Sequence, residues 1–188
     1  MNSEPSRRIR IFGINYYLEV GMKRSIFCLA LLLIVSSAAL GQKVAETNER
    51  AKKLFTGSWI ADLEKSQRDA KHLFSGLTIK FEFVDDMVLL TYSGINKSGH
   101  TEGATRKLHP DGKEHPIPEA PAYTQIDKWR GSNLLESVSM KDGQEAGQST
   151  YEISSDKKTL TAKVKGIDAS GRRFEQIIVL NRATVRPE

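Results

Sequence analysis

Cysteine is almost absent from this chain. Its one cysteine, Cys28, sits inside an apolar run. That excludes a disulfide framework and a thiolate metal site. No apolar run reaches the roughly 20 residues that a membrane-spanning helix needs. No long lysine and arginine stripe appears, and the formal charge is only +5, so nothing calls for nucleic acid as a partner. Catalytic fingerprints are missing as well. The chain has no G-x-S-x-G elbow, no phosphate-binding glycine loop, no dinucleotide fingerprint and no H-E-x-x-H pair. The expected protein is not an enzyme, has no catalytic residues and takes no cofactor.

What is present begins with a leader. Lys23-Arg24 precedes the apolar run Ile26 to Val35, and small residues follow, ending in Ala39-Leu40-Gly41. A basic region, an apolar region and a small-x-small site make a secretory signal peptide. Residues 22–41 are read as that leader, with Gln42 as the mature N-terminus and a periplasmic or extracellular destination. Residues 1–21 are read as an upstream extension from a misassigned start, because Met22 opens the basic region. Cys28 lies within the apolar region rather than at the cleavage point, which argues against a lipid anchor. No stable membrane insertion is expected after cleavage. The stretch before Gln42 carries five basic and two acidic residues, which leaves the mature part near +2.

Residues 42–54 are polar with scattered alanine and leucine, and Thr47 is placed to cap a short helix ending near Leu54. From Phe55-Thr56-Gly57-Ser58-Trp59 onward the chain reads as short strands broken by turns. Turn signals recur at Asp85-Asp86, Asn96 to Gly99, Pro110-Asp111-Gly112, Pro116 to Pro121, Gly131-Ser132, Asp142-Gly143, Ser155 to Lys157 and Asp168 to Gly171. Aspartate, asparagine and glycine supply the local hydrogen bonds and positive φ values that turns require. The segments between them predict strands over 57–63, 76–84, 87–94, 100–109, 113–116, 121–130, 133–141, 146–154, 158–166 and 172–182. Residues 64–73 are polar, with room for a helical turn that acts as a lid. Period-two alternation supports several strands: Leu77, Ile79, Phe81 and Phe83 share a face, as do Leu160, Ala162 and Val164, and Phe174, Gln176, Ile178 and Leu180. Short connections make consecutive strands pair antiparallel. The predicted fold is all-β, an antiparallel meander barrel of about eight to ten strands with a short N-terminal helix, over residues 55–184.

A family likeness rests on particular residues. Gly57-Ser58-Trp59 resembles the G-x-W opening of lipocalins and their calycin relatives. Val179-Leu180-Asn181-Arg182 resembles their closing strand, which ends in arginine. The resemblance implies that Arg182 packs over Trp59 at the closed end of the barrel, with Gly57 beside them. The T-D-Y motif of lipocalins is absent. The layout is also similar to small exported bacterial proteins, mostly uncharacterised. The matching stretches are Gly57-Ser58-Trp59 with Leu63 to Ser66, His109 to Pro116, Ser155 to Thr161 and Gly166 to Arg172. That likeness implies fold and export, and no catalytic residues.

Candidate ligand-binding residues are polar or aromatic positions on apolar strand faces. Tyr123, Gln125, Asp127 and Trp129 alternate on one face, although Thr124, Ile126 and Lys128 are an alternative inward set. Glu136 lies between Leu134 and Val138, and Gln176 between Phe174 and Ile178. A barrel lined by aromatics and a few polar groups suits a small apolar or amphipathic ligand. The same groups would otherwise face solvent or pair as internal struts. Of the four histidines, His109 and His115 flank a turn and would approach in a tight hairpin. No metal site is expected from them, or from His72 and His100. Asn96-Lys97-Ser98 matches a glycosylation acceptor and is read as a turn. The alternative function is a structural or interaction module of the cell envelope, with loops such as Asn96 to Gly99 and Glu114 to Pro121 carrying the contacts to an undefined protein partner. A third is an enzyme whose dispersed site would bring Asp127 and Glu136 together.

Overall fold

Ten antiparallel strands form one sheet in this computed structural model, which describes residues 45–69, 74–95, 98–168 and 170–184. The leader, residues 1–21, His72 and the Asn96-Lys97 turn lie outside the described residues. The chain divides into Met1–Glu46 and Thr47–Glu188, and every strand belongs to the second unit. The strands are β1 (Gly57–Gln67), β2 (Gly76–Val84), β3 (Met87–Ile95), β4 (Thr101–Leu108) and β5 (Asp111–Pro116). They continue with β6 (Tyr123–Trp129), β7 (Leu134–Lys141), β8 (Gln144–Ile153), β9 (Thr159–Ile167) and β10 (Arg173–Arg182). Sheet order is β4-β3-β2-β1-β10-β9-β8-β7-β6-β5. Consecutive strands pair as expected except β4 and β5, which do not pair with each other and stand at the two edges, and β1 pairs with β10.

Turn chemistry explains the meander. Asp142 and Gly143 have φ values of 51° and 73°, the pair of positive angles that a two-residue hairpin turn requires. Three expectations need correction. Residues 64–67 continue β1 instead of forming a helical turn. Pairing with β10 lapses between Asp62 and Gln67, and the Ser66 hydroxyl accepts from the Val179 N–H at 3.0 Å in place of a main-chain partner. Asp111-Gly112 is the start of β5, and the turn before it is His109-Pro110. Helical residues run from 45 to 55, so Thr47 stands inside the helix, not at its cap.

The sheet curls until opposite walls touch at one end. Phe83 of β2 stacks on Trp129 of β6 at 6.4 Å between centroids. Phe81 meets Tyr151 of β8 edge-on at 5.6 Å. Ala51, Leu54 and Phe55 recur at helical spacing, the pattern of a core-facing stripe. Ala51 and Phe55 are fully buried, and the Phe55 ring lies 5.2 Å from both Phe81 and Trp129. The chain leaves the helix through Gly57, whose φ of +115° is a conformation that side chains rarely adopt.

Arg182 holds this end together. Its guanidinium lies 4.1 Å above the Trp59 ring, a cation–π distance, and Trp59 pairs with Arg182 in the β1–β10 ladder. Arg182 Nη1 donates to Thr56 O at 3.0 Å and Nη2 donates to Leu54 O. These are carbonyls at the helix C-terminus, which lack helical partners. Trp59 Nε1 donates to Phe55 O at 3.1 Å. Helix end, first strand and last strand are thus tied at one residue.

Candidate functional site

The ladders decide which side chains face the interior. Three rows run around the wall from β10 toward β6. Nearest the closed end come Ile178, Ala162, Tyr151, Leu135 and Trp129. The next row is Gln176, Val164, Ser149, Ser137 and Asp127. Above it are Phe174, Gly166, Gly147, Ser139 and Gln125. On the other wall, rows run Gly57, Phe81, Leu90, Arg106 and Trp59, Ile79, Tyr92, Ala104.

Side-chain size therefore falls away from the closed end. The first row is large and apolar except for Ala162. The upper rows carry two glycines and three serines. Ten strands enclose a wider interior than such small side chains fill, although Gln125, Asp127, Ser137 and Ser149 of these rows are at most 8% exposed. Inward-facing Tyr92 is 40% exposed, while Leu90, one step lower, is 1% exposed. At the rim of β8, β9 and β10 a cleft of ≈ 540 Å³ is lined by Gly147, Gly166 and Phe174 together with the charged Glu145, Lys165, Arg173 and Glu175.

Four of the six sequence candidates stand together on the inner face of β6. Asp127 is fully buried and Gln125 is 4% exposed, whereas Tyr123 and Trp129 are half-buried. Thr124, Ile126 and Lys128 form the outer set. Gln176 joins the inner face from β10. Glu136 does not. Leu135 and Ser137 face inward from β7, so Glu136 stands outside, 3.3 Å from Lys128 Nζ and 3.0 Å from Arg130 Nε. Partial burial works to raise the Glu136 pKa, but bonds from Arg130, Gln148 and Lys128 outweigh it and hold the carboxylate low. The acid pair that an enzyme would need is thus split between the two faces of the sheet.

Gln125 and Asp127 bridge the seam between the sheet edges. Gln125 Nε2 donates to Lys107 O, and Asp127 Oδ2 accepts from His109 N at 2.8 Å. Both partners are main-chain groups at the end of β4, where no ladder partner exists; side chains of β6 take over that role. Desolvation raises the Asp127 pKa, against the opposing pull of the Ser137 hydroxyl, the His109 N–H and Arg106. Burial likewise pushes Tyr151 up.

Arg106 is the interior residue that strand patterning did not single out. It lies two positions before fully buried Leu108 on β4, and that spacing is the signal that places it inward. Nη2 donates to Gln125 Oε1 at 3.2 Å, and no ion pair involves Arg106 among the described residues.

His109 and His115 do come together. Their rings stack at 4.4 Å with 18° between planes, and His115 Nε2 is 3.0 Å from Asp111 Oδ1. Among the described residues no group of three or more histidine, cysteine or acidic side chains is arranged to hold a metal ion. No described helix is long and apolar enough to cross a membrane.

No protein-family model matches the chain, and no curated protein matches it. Solved structures similar to it include wild-type fluorescent protein UnaG, 17% identical over 70% of this chain and 98% of that one, TM-score 0.45. Zebrafish ileal bile acid-binding protein complexed with cholic acid is 17% identical over 69% and 99%, TM-score 0.44. As-p18, an extracellular fatty acid binding protein, is 10% identical over 71% and 99%, TM-score 0.42. Likeness at this level carries no weight for function, and the fold rests on the strand ladders themselves.

Proposed function

We propose that this chain is an exported, non-enzymatic binding protein that holds one small amphipathic anion in the open half of its barrel. The observation that supports this most is the loss of side-chain bulk above the first inner row, where glycine and serine replace leucine and tryptophan. An apolar body would lie along Leu77, Tyr92 and Val164. Its charged head would meet Arg106, which is half-buried and whose planar guanidinium has donors left for a carboxylate or sulfate. Gln125 and Asp127 act in this reading as struts of the seam, not as ligand contacts.

Displacement of anilinonaphthalene sulfonate by stearate tests the reading. Arg106→Gln should weaken stearate on the order of tenfold, the effect of one charge-assisted hydrogen bond, and leave stearyl alcohol unchanged. Absence of saturable dye and stearate binding would overturn the proposal. Export is supported by Lys23 to Gly41. N-terminal sequencing of protein from the exported fraction should begin at Gln42, and recovery only from the cytoplasm with an intact leader would oppose it.

A further inference from the structure

A base and an acid face each other across the seam between the sheet edges. Arg106 stands on β4 and Asp127 on β6. Arg106 Nη2 donates to Gln125 Oε1 at 3.2 Å, and Gln125 lies two residues before Asp127 on the same strand face. From the other side, Asp127 Oδ2 accepts at 2.8 Å from the N–H of His109, three residues beyond Arg106. The two groups are neighbours, yet among the described residues no ion pair joins them. Asp127 is fully buried, whereas Arg106 is half-buried. The guanidinium is the partner that a guest can reach, and the carboxyl lies behind it.

Burial raises the Asp127 pKa, and the Ser137 hydroxyl, the His109 N–H and the charge of Arg106 pull it back. Charges inside a protein act on each other over several ångströms, because the medium screens them weakly. An anion seated on the guanidinium cancels the pull of Arg106 and adds a negative charge of its own. Asp127 then keeps its full desolvation cost without the neighbour that offset it, and a proton relieves the conflict. Its other surroundings are few. Across the seam, the His109 ring stacks on His115 of β5 at 4.4 Å. Asp111 of β5 is held below its ordinary value by the Lys113 N–H and His115. Tyr151 of β8 is pushed up by burial. Imidazoles are the other side chains that titrate near neutral pH, so a test must separate His109 and His115 from Asp127.

We infer that anion binding at Arg106 is coupled to proton uptake by Asp127, so that the barrel holds its anion more tightly as pH falls. This rests on the binding reading above and adds the regulation of the same site. The anion-bound protein keeps the Asp127 proton to higher pH than the free protein does. Below both midpoints the carboxyl is neutral in either state, and affinity stands at its upper limit. Above both it is ionised in either state, and affinity stands at its lower limit. Between them one proton enters with each anion. A separation of one unit between the midpoints makes the two limits differ by about tenfold.

Calorimetric titration from pH 4 to 8 with decanesulfonate, whose own charge is constant over that range, is the test. Its affinity for the wild type should fall on the order of tenfold as pH rises. Within the transition its binding enthalpy should depend on the ionisation enthalpy of the buffer. Asp127→Asn should bind it with neither dependence, and thermal melts verify that the variant folds. His109→Gln and His115→Gln should each retain the coupling; its loss in either assigns the proton to an imidazole and overturns the inference. If decanesulfonate binds the wild type without proton uptake, the inference fails while the binding reading stands. If uptake persists in Asp127→Asn, another group takes the proton and the inference fails. If nothing binds, both readings fall together.

Discussion

The two ends of the barrel are built from the same ten strands and differ in almost every other respect. At the closed end, Phe55, Trp59, Phe81, Leu108, Leu135, Leu160 and Leu180 are all fully buried, and Arg182 fastens helix to sheet. At the open end, the inner face is glycine and serine with a few polar groups, and inward-facing Tyr92 is 40% exposed. One end spends its apolar residues on stability. The other is held by ladders, turns and ion pairs, and carries the smallest inner side chains.

The sharpest way to break this contrast is Trp59→Ala. Loss of a buried aromatic should lower stability by about 3–5 kcal/mol, whereas Tyr92→Ala on the same ladder row should change it by less than about 0.5 kcal/mol. Urea denaturation of both variants measures the difference, and equal effects would dissolve the distinction between the ends. Arg182→Gln comes next. It removes the cation–π contact and strips two helix-end carbonyls of their donor, which should cost about 2–3 kcal/mol with cooperative unfolding retained.

Asp127→Asn probes the seam between edges. Asn keeps an oxygen for the His109 N–H and removes the buried charge. Because the folded pKa is raised above the ordinary 3.8, the wild-type carboxyl contributes its stability fully below that value. The contribution is lost as pH rises through the folded pKa. Stability measured from pH 4 to 8 should therefore fall more in wild type than in Asp127→Asn, and parallel curves would mean that the group is not desolvated.

The smallest effect belongs to the open end. The Ser170 hydroxyl, with the N–H groups of Arg172 and Ser170, lowers the Asp168 pKa from 3.8 to about 2. Arg172 also grips Asp69 with two bonds of 2.7 and 2.8 Å. A depressed carboxylate stabilises above its unfolded pKa, and that stability disappears as pH falls through the folded one. Thermal melts should show a constant deficit for Asp168→Asn above pH 5 that vanishes toward pH 2. A deficit independent of pH would assign the residue a purely steric role.

Much of the wall was legible in the sequence. All ten predicted strands have counterparts in the structure, because turn residues and two-residue periodicity act over a few positions. The end of β1 was not, since Glu64 to Gln67 are polar and their bulge depends on Ser66 reaching a strand more than a hundred residues away. In the sequence Glu136 alternates with Leu134 and Val138, because adjacent Leu134-Leu135 offers two apolar registers. The row joining Trp129, Leu135 and Tyr151 settles which one is buried. Arg106 lacked an apolar alternation around it in Thr101 to Lys107, so only its distance from Leu108 marked it.

The sequence by itself determined the antiparallel strands and their turns, since every ladder but β1–β10 joins neighbours along the chain, while the gap between β4 and β5 was not written in it. Tertiary structure alone decided the rest: which face of β6 and β7 turns inward, which side chains bridge the unpaired edges, and where bulk gives way to space. Hydrogen-bond ladders are local in a meander. The inside of a barrel exists only after the sheet has curled far enough for β2 to touch β6 and β8, and no short stretch of sequence carries that curvature.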